Sequence, residues 1–148
     1  MKPARILLWA FAAALPVSAS GAWGQDSPAD RMIMLDGRCD YAGAPAPAPH
    51  ELRLDCKSAV LMPGREGDVL VQFVTGNDTA YGFAGPVSGD VLTVRRIYLT
   101  GKAIPATGGH CKLFFGQEEI KGLTCVARAA DATYVANFHA AATHPDGG

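Results

Sequence analysis

The sequence predicts an all-β domain: a small antiparallel barrel of about eight strands, with a β-sandwich as the alternative. Three observations predict it. Apolar and polar residues alternate with a period of two in segment after segment, Gly and Pro turn signals recur at short intervals, and no segment long enough to cover a sheet has helical period. The composition agrees, since 148 residues with 17 Gly and 10 Pro suit one turn-rich domain, and 49% hydrophobic residues are too many for a disordered chain.

The chain opens on a segment expected to be removed. Lys2 and Arg5 precede an apolar run from Ile6 to Pro16, and small residues follow, the pattern of a secretory signal peptide. Cleavage after Ala19, Ala22 or Gly24 fits, and the run is shorter than the roughly 20 apolar residues of a membrane span. The expected organisation is a signal peptide over 1–24, a flexible segment over 25–30, one β-domain over 31–139 and a disordered tail over 140–148. The mature protein is then periplasmic or secreted, with no stable membrane anchor. Removing Lys2 and Arg5 from the 13 basic residues leaves 11 against 14 acidic ones, a net charge of −3. No basic field draws such a chain to nucleic acid.

The first β-segment alternates Ile33, Leu35, Gly37, Cys39 and Tyr41 against Asp36, Arg38 and Asp40. The second runs from His50 to Met62, with Leu52, Leu54, Cys56, Val60 and Met62 opposed to Glu51, Arg53, Asp55 and Lys57. Between them lies a proline-rich stretch over 43–49 that can donate few ladder hydrogen bonds and must be a loop. Folding the chain symmetrically about that loop sets Cys39 opposite Cys56 and Tyr41 opposite Leu54. In an exported chain an even set of four cysteines reads as two disulfides, and the register assigns the first to Cys39–Cys56.

A turn over 63–67 leads to a strand over 68–75, and a turn at 76–78 to a short strand over 79–84. Tyr81 and Phe83 share one face of that strand. Ala80, Gly82 and Ala84 share the other, where small side chains would open space in a barrel interior. Another turn, 85–89, precedes a strand over 90–100 that is apolar on both faces and is interrupted by Arg95 and Arg96. Neighbours in a strand point to opposite faces, so one arginine is expected to face inward, where it needs a ligand or a carboxylate such as Asp55 or Asp68. Residues 101–109 read as a loop. A second hairpin about 116–120 then sets Cys111 against Cys125 and Leu113 against Leu123, with Phe115 poorly matched to Lys121. Its outer face would hold His110, Lys112, Phe114, Thr124 and Arg128, and a last strand spans 133–139. Each bridge closes a loop of roughly 15 residues and stabilises by about 3 kcal/mol.

Chemistry finds little to stand on. Ser88 comes one place late for a nucleophile elbow and no helix pattern follows it. His139 and His144 lack acidic or thiolate companions, and Glu118-Glu119 reads as a solvated hairpin tip. Asn77-Asp78-Thr79 fits an N-glycosylation acceptor. The expectation is a binding protein rather than an enzyme, with no metal and no cofactor. Arg95, Arg96, Tyr81, Phe83 and Phe114 are the candidate contact residues.

Disulfides placed across hairpins, polar loops and the missing catalytic set favour an unidentified protein partner over a small apolar ligand carried inside the barrel. The exported, disulfide-pinned, small-β plan is similar to that of bacterial envelope proteins that inhibit lysozyme or proteases. That resemblance is one of architecture, and it implies inhibition of an envelope or host hydrolase.

Overall fold

The computed structural model describes residues 27–76 and 80–142. Twelve strands lie among them: β1 (Ile33–Cys39), β2 (Glu51–Arg53), β3 (Ser58–Pro63), β4 (Val69–Val74), β5 (Ala80–Gly85), β6 (Val87–Ser88), β7 (Val91–Thr93), β8 (Arg96–Leu99), β9 (Lys102–Pro105), β10 (Gly108–Gly116), β11 (Glu119–Ala129) and β12 (Ala132–Ala140). They form one curled sheet, a half-barrel, in the order β6-β7-β10-β11-β12-β1-β3-β4-β5-β8-β9. Every pairing is antiparallel except that of β2, which adds in parallel to β12. The expected leader over 1–24, His144 and the Asn77-Asp78-Thr79 acceptor lie outside the described residues. Ser27 opens a turn, its carbonyl accepting the Asp30 and Arg31 N–H groups, and Pro28 is buried there.

Both ends of the strand order are carried by the same three chain segments. Residues 80–88, 91–99 and 102–116 each bend once, giving β5 and β6, β7 and β8, and β9 and β10. Hydrogen bonds continue through the bend: Thr93 N–H to the Pro86 carbonyl (3.0 Å), Arg95 N–H to Ala84 (2.8 Å), Val94 N–H to Gly109 (3.0 Å) and Ala106 N–H to Arg95 (2.9 Å). Gly85 is required at this corner, because a Cβ there would lie 1.6 Å from the Thr93 carbonyl oxygen.

The bend changes how 91–99 is read. Leu92 and Val94 are buried in the core before it, and Ile97 after it, with Leu99 packed alongside. The step of three from Val94 to Ile97 marks one extra residue, a bulge that reverses the alternation. Leu92, Val94, Ile97 and Leu99, which seemed to occupy two faces of one straight strand, all face the core, while Tyr98 lies outside beside Gly82. The expected loop over 101–109 is mostly strand, since β9 pairs with β8 (Ile97↔Ile104) and β10 begins at Gly108.

A similar offset breaks the expected strand over 50–62. β2 pairs with β12 (Leu52↔Tyr134), then the chain crosses to β3, which pairs with β1 (Leu35↔Ala59) and β4 (Ala59↔Phe73). Leu54 and Cys56 are core residues, and so are Ala59 and Leu61, while Val60 and Met62 sit outside the core cluster. At the crossing the Lys57 N–H donates to the Val74 carbonyl and the Lys57 carbonyl accepts from Gly37. No alternation count across that point could hold.

Both disulfides stand where register put them, Cys39–Cys56 with Cα atoms 5.0 Å apart and Cys111–Cys125 with Cα atoms 4.0 Å apart. In the second hairpin Cys111↔Cys125 and Leu113↔Leu123 are true pairs. The mismatch of Phe115 with Lys121 is resolved by a register shift after Phe114, which pairs Phe115 with Ile120 and turns Ile120 inward. Inside the sheet Phe73 meets Phe83 edge-on at 5.8 Å between ring centroids and Phe138 at 6.3 Å. Leu61, Leu92, Ile97, Leu113 and Leu123 complete a fully buried set.

Candidate functional site

At one end of the half-barrel a cleft of about 430 Å³ opens between β1, the β10–β11 hairpin tip and the end of β12. Three local features make it. Met32 and Met34 flank Ile33 in a strand whose alternation turns Ile33 and Leu35 to the core, so the two methionines are left 56% and 73% exposed. The register shift after Phe114 swings Phe115 and Ile120 to the same side, where they join Ile33, Leu35 and Ala140 as an apolar floor. The tip itself is a two-residue turn, Gln117-Glu118, with φ of 53° and 65°. Positive φ at both centres is the type I′ pattern that suits strand twist and that Asn and Gly adopt most easily. Gln and Glu hold it here at a conformational cost.

The rim is charged. Arg31, Asp36, Glu118, Glu119 and Lys121 line the cleft, and the Lys121 ammonium holds the Glu119 carboxylate at 2.7 Å. A second, shallower hollow of about 290 Å³ lies on the outer side of β10 and β11 and brings His110 together with Arg128 and Thr133.

Past the other end of β1 from the cleft, Tyr41 is clamped. The half-buried Tyr41 hydroxyl lies 2.6 Å from the Leu54 carbonyl and 3.0 Å from that of Val135, and burial raises its pKa. The Arg53 guanidinium sits 5.4 Å from the centre of the Tyr41 ring, is paired to Glu51 at 2.9 Å, and donates to the Pro45 carbonyl. The Asn137 amide donates to the Asp40 carbonyl and its oxygen accepts from the Thr124 hydroxyl. The proline-rich loop is thereby tied to β12 at its root.

None of the five residues singled out from the sequence lines the cleft. Phe83 is wholly buried, while Tyr81 packs against the core and stays half-buried. Ala80, Gly82 and Ala84 lie on the outer side: Ala84 pairs with Leu70 and Arg96, and a Cβ on Gly82 would meet Leu70 and Tyr98. They open no interior space. Phe114 is 49% exposed on the outer face, as expected, with its ring over Gly122.

Arg95 and Arg96 do not divide between faces. Both reach Asp68, Arg96 at 2.8 Å and Arg95 at 3.9 Å. The bulge at the bend removes the strict alternation that would have sent one inward, and Val94 and Ile97 take the core positions. Asp68 is the one buried charged residue among those described. The cleft residues went unread because Met32 and Met34 look like ordinary members of an apolar run. The usable signal was that alternation assigns them to the solvent side.

Among the described residues no group of three or more His, Cys, Asp or Glu could hold a metal ion, and no helix is long and apolar enough to cross a membrane. The two disulfides suggest an oxidising, extracytoplasmic location. No family model, curated protein or solved structure matches the chain.

Proposed function

We propose that this chain is a periplasmic or secreted β-domain that binds a protein partner at the cleft, acting as an inhibitor where that partner is an envelope or host hydrolase. The observation that carries the reading is the cleft itself: an apolar floor, two exposed methionines and a strained, charged hairpin tip, all fixed to a disulfide-braced sheet. A site held rigid before binding loses little conformational entropy on association. Methionine adapts to irregular apolar surfaces and is over-used where partners dock. Setting β2 aside and counting each bent pair of strands as one gives an eight-stranded meander whose ring closes through β12·β1, and this is the barrel we read in the half-barrel's curvature. The apolar-carrier reading draws no support from the interior, where Phe73, Phe83 and Phe138 meet.

A photo-reactive side chain placed at position 118 tests the reading, with position 131 at the opposite end of the β11–β12 hairpin as control. Irradiation in the exported compartment should join one protein to position 118 and not to 131. The same protein, if a hydrolase, should lose activity on titration with this domain. Equal labelling from both positions, or turnover of a small substrate with no protein captured, overturns it.

A further inference from the structure

The shallow hollow on the outer side of β10 and β11 gathers hydrogen-bond donors and has no carboxylate in its lining. Register brings the donors together. Gly108 pairs with Arg128 and Arg128 with Thr133, so one outer row crosses β10, β11 and β12 with neighbours about 4.8 Å apart. His110 stands two places along β10 from Gly108, on the same exposed face. Of the lysines and arginines on these three strands, Lys112 holds Asp90 and Lys121 holds Glu119, whereas Arg128 has no carboxylate partner among the described residues. The His110 ring and the Thr133 hydroxyl make no hydrogen bond or ion pair there either. Glu51, beside Thr133 in the β2–β12 ladder, is already taken by Arg53 at 2.9 Å and by the Ala48 N–H at 3.2 Å.

The floor of the hollow is a pair of glycines with different reasons to be there. Gly109 answers a demand of the backbone, since its φ is 144° and a Cβ would lie 2.5 Å from the Ala127 Cα. Gly108 answers no such demand. Its φ lies outside the left-handed region, and a Cβ there would meet nothing within 4 Å. Glycine weakens a strand where a β-branched residue would strengthen it, and an interior strand glycine with no steric reason marks a place where a ligand comes close to the main chain. At 108 the missing side chain is what keeps the space between His110 and Arg128 open.

The geometry points to a binding site for the phosphoryl group of a small, soluble phosphate ester. The Arg128 guanidinium presents two parallel N–H groups to two phosphoryl oxygens, and a third oxygen remains for the Thr133 hydroxyl and the His110 ring, which donates in either charge state. A carboxylate, with two oxygens, offers the fork a match and leaves the other donors without an acceptor of their own. The volume of about 290 Å³ is close to the lower end of ligand pockets, about 300 Å³, and suits a phosphoryl group with a few atoms beyond it lying over Gly108. The hollow shares no residue with the cleft, and the inference does not rest on the cleft's reading as a partner site.

Titration of the isotope-labelled protein with inorganic phosphate, glycerol phosphate and acetate, at constant ionic strength, tests it. Both phosphates should shift the amide resonances of Gly108, His110, Arg128 and Thr133 in a saturable way, at concentrations where acetate does not. Arg128→Met should weaken phosphate binding by about tenfold or more, and Arg128→Lys several-fold, because a point charge replaces the fork. Gly108→Val fills the hollow without a clash and should abolish binding while the protein melts at the same temperature or higher. Lys102→Met, outside the hollow, should change nothing. Should Gly108→Val fail to fold, Arg128→Met, which alters an exposed side chain, decides alone. Equal shifts from acetate and phosphate overturn the site. So does a loss with Lys102→Met as large as with Arg128→Met, which would reduce the effect to general charge attraction. A Gly108→Val protein that folds and still binds phosphate like the parent overturns it too. Vesicles of phosphatidic acid in phosphatidylcholine should not sediment the protein. Sedimentation that Arg128→Met abolishes would overturn the soluble ligand and make a lipid headgroup the occupant.

Discussion

Asp68 shows how a single buried charge organises its surroundings. Its carboxylate is 5% exposed and is met by Arg96 at 2.8 Å, with Arg95 further out at 3.9 Å, while its main-chain N–H donates to Arg65 and its carbonyl accepts from Gly64. Removing the close partner strands a desolvated charge, which costs about 3 kcal/mol in comparable buried pairs. Arg96→Met is therefore expected to lower the urea midpoint by an amount of that order, softened by whatever Arg95 can supply. Arg95 is 63% exposed and its contact is long, so Arg95→Met should change stability by about 0.5 kcal/mol or less. Equal losses in the two variants would show that the pair shares the charge evenly. The need of an arginine here for an acidic partner was legible in the sequence, and Asp68 was one of two candidates for it. Which face each arginine takes was not legible, because the bulge that decides it leaves no signature in an apolar run.

Among the elements, the β10–β11 hairpin is the most informative. Its disulfide pair and its leucine pair could be read by folding the sequence about the tip, since the two strands keep one register for seven pairs, Gly108↔Arg128 to Phe114↔Gly122. The last pairing could not. An inserted residue near the tip shifts Lys121 out and Ile120 in, and only burial distinguishes the two. The crossing from β2 to β3 is the same lesson in another place, since alternation survives within a ladder and is lost where the chain changes ladders. The tip also carries a testable cost. Replacing both turn residues, Gln117→Asn with Glu118→Gly, supplies side chains suited to positive φ and should raise stability by about 1 kcal/mol. If Glu118 serves the partner, that double variant binds less well even as it melts higher, whereas Gln117→Asn alone binds normally. A double variant no more stable than the parent would mean the turn carries no strain.

For the whole molecule, acidity is the simplest probe. Asp40, Glu51 and Asp90 all have lowered pKa values. The chief causes are the Ala42 N–H on Asp40, the Arg53 guanidinium on Glu51 and the Lys112 ammonium on Asp90. A carboxyl that is more acidic folded than unfolded stabilises the fold above its unfolded value, near pH 4, and loses that contribution as pH falls through the lower folded value. The urea midpoint should thus stay level from about pH 7 to about pH 5 and fall below about pH 4. Lys112→Met should make the acid limb shallower by releasing Asp90. Tyr41 works at the other extreme: burial raises its pKa, so its share is complete below about pH 10 and is lost as pH climbs past the folded value.

The pairing of β1 with β12 sets a timetable for the chain's birth. Cys39 and Cys56 are 17 residues apart and Cys111 and Cys125 are 14, so each cross-link can form as soon as its own short stretch is available. β1 must wait far longer, because Gly37, Arg38 and Cys39 find their partners only at Phe138, His139 and Ala140. A ribosome delivers those residues about a hundred positions after β1, at roughly 5–20 residues per second, and such distant pairings are slow to close even then. The emerging polypeptide accordingly stays open for most of its synthesis. That is the condition in which a chain can still be threaded through a narrow pore, with its covalent staples added on the far side and β12 pairing with β1 only afterwards.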